Sequence, residues 1–417
     1  MGQSLLRRPD FMKLWIGESI SVFGAQFSPL AIQIAAKNIL DAQPIQFGIL
    51  AFLGTVPFLL FGLPVGVWAD RYRRKRTMIF ADVGRALILA CVPIAWLKGW
   101  LSIGEFYAVA FSTGTLTVFF EICYQSYLPT LVERSQLVDA NSKLQTSQAT
   151  AGGVGPALAG AVIQVVSAPL AVFGDVVGYF SSAGFLSWIG RPEGYIANRA
   201  GRSAWRDMRE GISVVFGDAR LRSIAGCTAT VNFFSSAWGA IMVPFMIQDF
   251  GFGSFEVGLV LAASAIGGIL GAMLSQRIPR GIGVGGTIIA GAVLFSLAPL
   301  AIYFASGGLA LPVLATAMSL SSFAGIIYNV SSVSFRQALV SLSVQGRVNA
   351  TNRTIVWGTI PIGGLLGGVL GQTFGYHQAI GIAVSLGAFT FLWLVFSPVR
   401  RIRVIPELPE IGEDLVP

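Results

Sequence analysis

The sequence has little charge, since Asp, Glu, Lys and Arg make up only 12% of its 417 residues. A soluble domain carries about 25% charged residues. The chain also has only three cysteines and one histidine, with none of the spacings of a metal or redox site. It has no Walker lysine motif, and so gives no sign of an ATP-driven pump. We therefore expect no enzyme, no cofactor and no metal.

Hydrophobic residues instead make up 54% of the chain. They form twelve runs that are long enough to cross about 30 Å of hydrocarbon as helices, and these runs are too long for barrel strands. We number them as membrane helices 1 to 12. Their predicted spans are 12–36, 45–69, 77–97, 103–125, 145–166, 168–189, 221–247, 254–276, 284–305, 309–332, 353–375 and 377–397.

The basic residues indicate the topology. Of the 28 Lys and Arg residues, all except Lys37, Lys98 and Arg85 fall at the termini or in alternate connections. Such residues accumulate on the cytoplasmic side of a membrane protein. The fold class that follows is an all-α polytopic membrane protein of twelve transmembrane helices with both termini in the cytoplasm. This distribution also argues against nucleic-acid binding, although the net charge is +8.

An internal repeat divides the chain into two six-helix halves. Leu131, Asn141, Gly155 and Gly160 recur 208 residues later as Leu339, Asn349, Gly363 and Gly368. We expect an N-terminal bundle over 1–189, a cytoplasmic connector over 190–220, a C-terminal bundle over 221–397 and a disordered tail over 398–417. Trp205, Met208, Ile212 and Phe216 follow helical spacing within the connector. They predict an amphipathic helix that either lies on the inner leaflet or packs on the bundle.

A basic cluster follows membrane helix 2. Gly66 and Asp70 are followed by Arg71, Arg74 and Lys75. This order resembles the signature between helices two and three of the major facilitator superfamily of secondary transporters. The resemblance implies that Asp70 helps to close the inner side by facing the N-terminus of membrane helix 11, where the helix dipole favours a carboxylate. The alternative is a solvated cluster that sets topology alone.

Membrane helix 5 is rich in small residues around Gly155, Pro156 and Gly160. The segment resembles a glycine and proline pattern of the superfamily's antiporters, while small residues also serve simple close packing. The loops around 127–141 and 345–349 are similar to those of the macrolide-efflux and enterobactin-exporter relatives. This likeness implies a drug:proton antiporter family.

Few ionisable residues fall inside the predicted helices, where they are costly and often mark a pathway. Glu18 and Asp175 have no base within helical reach, so they are our main candidates for carrying a coupled proton. Glu121 is a third candidate, close to the predicted end of its helix and to water. Asp82 and Arg85 are spaced to form an ion pair near the inner gate. In the second half, the acids between Arg222 and Pro406 are Asp249 and Glu256, and both lie near the predicted outer connection between membrane helices 7 and 8.

The resemblance places membrane helices 1, 4, 7 and 10 around a central cavity. The candidate substrate contacts are Gln26, Gln33, Phe119, Phe120, Asn232, Trp238, Tyr328 and Asn329. For each polar one, hydrogen bonding between helices is an equal alternative.

The sequence thus predicts a proton-coupled exporter of drugs or amphipathic metabolites that works by alternating access. The alternatives are a dedicated siderophore or lysolipid exporter or flippase and, less favoured, a non-transporting membrane sensor of the same fold. We expect a monomer in the cytoplasmic (inner) membrane of a bacterium, with protons, membrane lipids and a small amphipathic substrate as its partners.

Overall fold

The computed structural model describes residues 5, 8–69, 73–133, 136–190, 204–340 and 342–403. These residues form helices and turns and contain no β-strand. Twelve of the helical spans are long and apolar enough to cross a membrane. Membrane helices 1 to 6 are Pro9–Gly24 with Phe27–Asn38, Pro44–Ala69, Arg74–Lys98, Ile103–Leu131, Leu137–Val166, and Ala168–Ala171 with Phe173–Ser187. Membrane helices 7 to 12 are Ala219–Phe250, Ser254–Leu274, Ile278–Leu297 with Leu300–Tyr303, Ala310–Leu339, Leu342–Phe374, and Tyr376–Gly387 with Leu392–Val395. A connector helix, Ala204–Gly217, joins the two sets.

The twelve predicted helices are confirmed, but four of them extend well beyond their apolar runs. Membrane helices 4 and 10 continue to Leu131 and Leu339, and membrane helices 5 and 11 begin at Leu137 and Leu342. These extensions are rich in polar residues. Hydropathy detects only the part of a helix that suits hydrocarbon, whereas backbone hydrogen bonds continue the helix beyond it.

Local sequence signals determine several helix ends. The Ser102 hydroxyl accepts a hydrogen bond from the Glu105 amide at the start of membrane helix 4. The Asp218 carboxylate does the same for the Arg220 amide, at 2.7 Å, before membrane helix 7. Such caps satisfy N–H groups that have no partner within the helix. At the other end, Gly99 and Gly251 end membrane helices 3 and 7 with positive φ angles of 71° and 67°, a conformation that glycine adopts readily.

The two sets of six helices meet along two helix pairs, because membrane helix 2 packs against membrane helix 11 and membrane helix 5 packs against membrane helix 8. Both contacts use glycine. A side chain at Gly48 would collide with the backbone of Gly368, and one at Gly258 would collide with the carbonyl of Pro156. Small residues allow this close approach of helix backbones in a membrane.

The distribution of buried residues differs between the two ends of the bundle. We call the end that holds Arg8, Lys75 and the connector helix the basic end. At the opposite end, one apolar core contains residues of both halves, including Leu30, Phe47, Phe245 and Tyr376. Towards the basic end, the clusters among the described residues each belong to a single half. The halves therefore share a buried apolar core at the opposite end, and among the described residues no buried cluster towards the basic end includes residues of both halves.

The connector helix packs on membrane helix 11. A side chain at Gly211 would meet the Thr351 hydroxyl and the Arg347 carbonyl, and Glu210 forms an ion pair with Arg347. Ile212 and Phe216 remain exposed, while the side chains of Trp205 and Met208 lie outside the described residues. One face of this helix thus contacts the bundle, and a neighbouring apolar face does not.

Candidate functional site: a cavity between the halves and a buried charge cluster

A cavity of about 400 Å³ lies between the two halves, towards the basic end. Membrane helices 2, 4 and 11 form its walls, and its lining is mainly apolar. The lining residues are Phe58, Leu59, Gly62, Val118, Ile122, Gln125, Ser126, Asn349, Arg353, Thr354, Trp357 and Gly358. The rings of Phe58 and Trp357, which come from opposite halves, lie 5.2 Å apart between centroids. A cavity of this size, apolar with a few polar groups, fits a small amphipathic molecule.

A second cavity, of about 320 Å³, lies mostly within the first half. It is lined by residues of membrane helices 1, 2, 3, 4 and 6 and by Ala240 of membrane helix 7. Asp175, Ser28 and Tyr179 are among them, and Phe58 lines both cavities. The resemblance places membrane helices 1, 4, 7 and 10 around a central cavity. Of these four, only membrane helix 4 lines the first cavity. Membrane helices 1 and 7 contribute to the second one.

Asp82 and Arg85 form the ion pair that their spacing predicts. Both side chains are buried, with exposures of 0% and 5%. The Arg85 guanidinium lies between two rings, 4.6 Å from the centroid of Phe120 and 4.1 Å from that of Tyr179. It also approaches the Thr117 hydroxyl at 3.4 Å. A buried charge needs such partners to offset its loss of hydration. The two rings and the hydroxyl belong to membrane helices 4 and 6, so the pair lies among helices of the first half.

Glu18 and Asp175 are buried close to this pair. Glu18 interacts electrostatically with Asp82, Arg85 and Glu121, although none of these residues lies in its own helix. Asp175 interacts with Arg85 as well. One oxygen of each carboxylate, Oε2 of Glu18 and Oδ1 of Asp175, has no hydrogen-bond partner among the described residues.

The sequence missed the base that is near both carboxylates, because Arg85 comes from a different membrane helix. It also missed Ser28 and Tyr179, which lie beside the Asp175 carboxyl group. Glu121 is half-buried and lies well inside membrane helix 4, which continues to Leu131. The expectation that Glu121 is a turn from the end of its helix was wrong, since the polar last turns escaped the hydropathy pattern.

The residues of the antiporter-like motif contact two other helices. A side chain at Gly155 would collide with Gln26 of membrane helix 1, whose amide nitrogen donates to the Val22 carbonyl at 3.2 Å. A side chain at Gly160 would lie 2.3 Å from the Ser254 carbonyl oxygen of membrane helix 8. The motif thus forms part of the contact between the halves.

Part of the basic cluster after membrane helix 2 is described. Asp70 and Arg71 lie outside the described residues, and Gly66 lies in the last turns of the helix. Arg74 donates to the Ser126 carbonyl at 3.0 Å, and Lys75 donates to the Ile189 carbonyl at 2.6 Å. Both bases therefore connect the start of membrane helix 3 to neighbouring helices of the same half.

The predicted substrate contacts are spread over several environments. Gln33 lines the second cavity, and Trp238 lines a small crevice within the second half. Tyr328 is buried in the second half, where its hydroxyl lies 2.6 Å from that of Thr228. Asn232 reaches the Val356 carbonyl of membrane helix 11 at 3.5 Å.

The other three differ in exposure. Phe120 lies in the core of the first half, Phe119 is half-buried and Asn329 is exposed. The contact of the Tyr328 hydroxyl with Thr228 joins two membrane helices. It therefore fits the alternative that Tyr328 forms a hydrogen bond between helices and does not contact the substrate.

Twelve helices long and apolar enough to span a membrane, a glycine-lined contact between the halves and a cavity between them are the features of a transporter fold. The sequence model of the Major Facilitator Superfamily matches residues 14–359. The chain belongs to that superfamily.

Related proteins include transporters and efflux proteins of bacteria. The multidrug efflux pump Tap of Mycolicibacterium fortuitum is 25% identical over 83% of this chain and 85% of its own length. The uncharacterized MFS-type transporter y4rN of Sinorhizobium fredii is 24% identical over 88% of this chain and 90% of its own. Macrolide efflux protein A of Streptococcus pyogenes is 25% identical, but the match covers only 49% of this chain and 51% of that protein.

Solved structures share the fold at low sequence identity. A bacterial homologue of the iron transporter ferroportin, in an inward-facing state, has a TM-score of 0.74 at 16% identity and covers 94% of this chain and 99% of its own. A bacterial homologue of the lysosomal transporter Spinster, inward-facing and occupied, has a TM-score of 0.72 at 14% identity, with coverage of 96% and 97%.

Proposed function

We propose that this protein exports amphipathic small molecules by alternating access and takes up protons in exchange. In this proposal the basic end faces the cytoplasm of a bacterium, as the positive-inside rule requires, and the opposite end faces outwards. The observation that carries the proposal is the mainly apolar cavity between the halves, on the side where their cores are separate. A molecule from the cytoplasm or the inner leaflet would enter there.

The contacts between the halves support a rocking motion. The shared core at the opposite end holds the exit side closed, while the glycine-lined pairs of membrane helices 2 with 11 and 5 with 8 present smooth surfaces to one another. Rocking one half against the other around a central site is how transporters with such repeats work.

Two buried carboxylates support proton coupling. Glu18 and Asp175 each have an oxygen without a described hydrogen-bond partner, and Asp175 also lines a cavity. A carboxylate in such a place gains from binding a proton, because burial penalises its charged form. Arg85, which is already paired with Asp82, gives the two carboxylates a common electrostatic neighbour.

The test uses the full chain in inverted membrane vesicles with an acid interior and a pH-sensitive dye. The panel contains macrolides, lipophilic cations, siderophores and lysolipids. We expect a substrate to discharge the gradient, and we expect Glu18→Gln or Asp175→Asn to reduce this discharge at least tenfold. Asp139→Asn is the matched control, because Asp139 is an exposed carboxylate on membrane helix 5.

The result also separates the alternatives. A response to siderophores or lysolipids alone would indicate a dedicated exporter. Discharge that persists in both carboxylate variants would refute their role in coupling. No discharge by any compound, from protein shown to be folded, would contradict proton-coupled export.

A further inference from the structure

The polar groups of the cavity between the halves are unevenly distributed. Arg353 and Asn349 are four residues apart on membrane helix 11, so they share one face of it, and both line the cavity. Gln125 lines it from membrane helix 4. Among the described lining residues Arg353 alone is charged, and most of the others are apolar. The cavity therefore has a positive site beside an apolar space.

Arg353 differs from other basic residues at this end of the bundle. Arg347 pairs with Glu210, and Arg8 pairs with Glu133. The Arg353 guanidinium instead lies 4.9 Å from the centroid of the Trp357 ring. Within the described ranges it has neither a carboxylate partner nor a hydrogen-bond acceptor. The cation–π contact holds the side chain in place and leaves its N–H donors available.

The internal repeat does not account for this charge. The 208-residue offset relates Arg353 to Gln145, which is neutral and exposed on membrane helix 5. The second half therefore supplies a positive charge to the cavity, whereas the repeat-related position in the first half is neutral. A cation beside an apolar cavity attracts an anion more strongly than it would in water, because screening is weaker there.

We propose that the exported molecule is an amphipathic anion whose acidic group binds Arg353. Asn349 and Gln125 supply neutral hydrogen-bond donors beside the guanidinium, and the apolar body of the molecule packs against Phe58 and Trp357. A guanidinium binds a carboxylate or a phosphate group through two parallel hydrogen bonds. This inference rests on the proposed export function and names the substrate class for the same cavity.

The test measures binding to the purified full chain in nanodiscs of neutral phosphatidylcholine, without a pH gradient. The probes are 11-(dansylamino)undecanoic acid and its primary amide, and the signal from empty nanodiscs is subtracted. We expect the acid to bind at least tenfold more tightly than the amide. Arg353→Gln should remove this preference, and Arg353→Lys should retain part of it. Arg280→Gln, at an exposed arginine of the basic end, should leave both affinities unchanged.

Competition then identifies the acidic group. Displacement of the bound acid by lauric acid at lower concentration than by lauroyl lysophosphatidic acid indicates a carboxylate substrate, and the reverse order indicates a phosphate.

Three results would overturn the inference. They are equal affinity for acid and amide in the native protein, an acid preference that survives in Arg353→Gln, and no saturable binding of the acid to folded protein. A purely structural role of Arg353 would change both affinities by the same factor. Because the assay has no proton gradient, the inference and proton-coupled export can fail separately.

Discussion

The contact between membrane helices 5 and 8 offers a direct test of alternating access. A β-carbon at Gly160 would lie 2.3 Å from the Ser254 carbonyl oxygen and 3.1 Å from the Gly258 α-carbon. Both neighbours are backbone atoms that cannot rotate away. Gly160→Ala should therefore strain the arrangement in which this contact is closed.

Gly152 provides the matched control, because it lies in the same membrane helix and a β-carbon there would meet nothing within 4 Å. Replacing glycine by alanine should favour the helix by about 0.5–1 kcal/mol at either position. The difference in effect between the two variants therefore measures the steric clash at position 160. Overpacking of this kind costs about 1–3 kcal/mol. If opening the opposite end relieves the clash, the equilibrium between the two states should shift by about 5-fold to 150-fold.

The assay is a distance measurement by double electron–electron resonance. Spin labels at Gln43 and Ser306, exposed positions on different halves at the end opposite the basic end, report its opening, in a background where Cys91, Cys123 and Cys227 are replaced. We expect a new population at longer distance in Gly160→Ala and none in Gly152→Ala. Identical distance distributions in the two variants would refute the argument that this contact closes the opposite end.

Two further predictions concern stability. Asp82→Asn should lower the free energy of unfolding by about 3–5 kcal/mol, because it leaves the Arg85 charge buried without its carboxylate. In thermal unfolding in detergent, the double variant Asp82→Asn with Arg85→Gln should be less destabilised than the single variant. A single variant as stable as the native protein would contradict a stabilising role of the ion pair. Tyr328→Phe should cost only about 0.5–1.5 kcal/mol, since it removes the hydrogen bond to Thr228, and should leave the affinity for the dansyl acid unchanged. A loss of affinity without a loss of stability would instead make Tyr328 a substrate contact.

Much of the architecture could be predicted because it depends on local properties. Hydropathy located all twelve helices, and the i, i+3 spacing of Asp82 and Arg85 predicted their pairing, since both the helix and the pair are set by neighbours in the chain. The predicted ends were less accurate. Membrane helices 4, 5, 10 and 11 continue into polar sequence, where a helix no longer needs an apolar composition.

The functional site could be predicted only in part. Glu18 and Asp175 were identified as buried carboxylates, but their shared neighbour, Arg85, lies in a different helix and has no sequence signal that connects it to them. Arg353 was counted among the residues that set topology, because a base near the start of a helix looks the same whether it faces solvent or a cavity. Only the packing of membrane helices 2, 4 and 11 shows that it lines the cavity.

The sequence by itself determined the helical membrane class, the repeat and the positions of the charges. These follow from the cost of exposing polar groups to hydrocarbon, which acts on each segment separately. The tertiary structure decided which charges meet, where the cavity lies and at which end the two halves share an apolar core. Under the alternating access proposed above, one sequence would stabilise two conformations, so the pattern that encodes the helices does not select between them. Which end is open depends on contacts between residues far apart in the chain, such as Gly160 with Ser254.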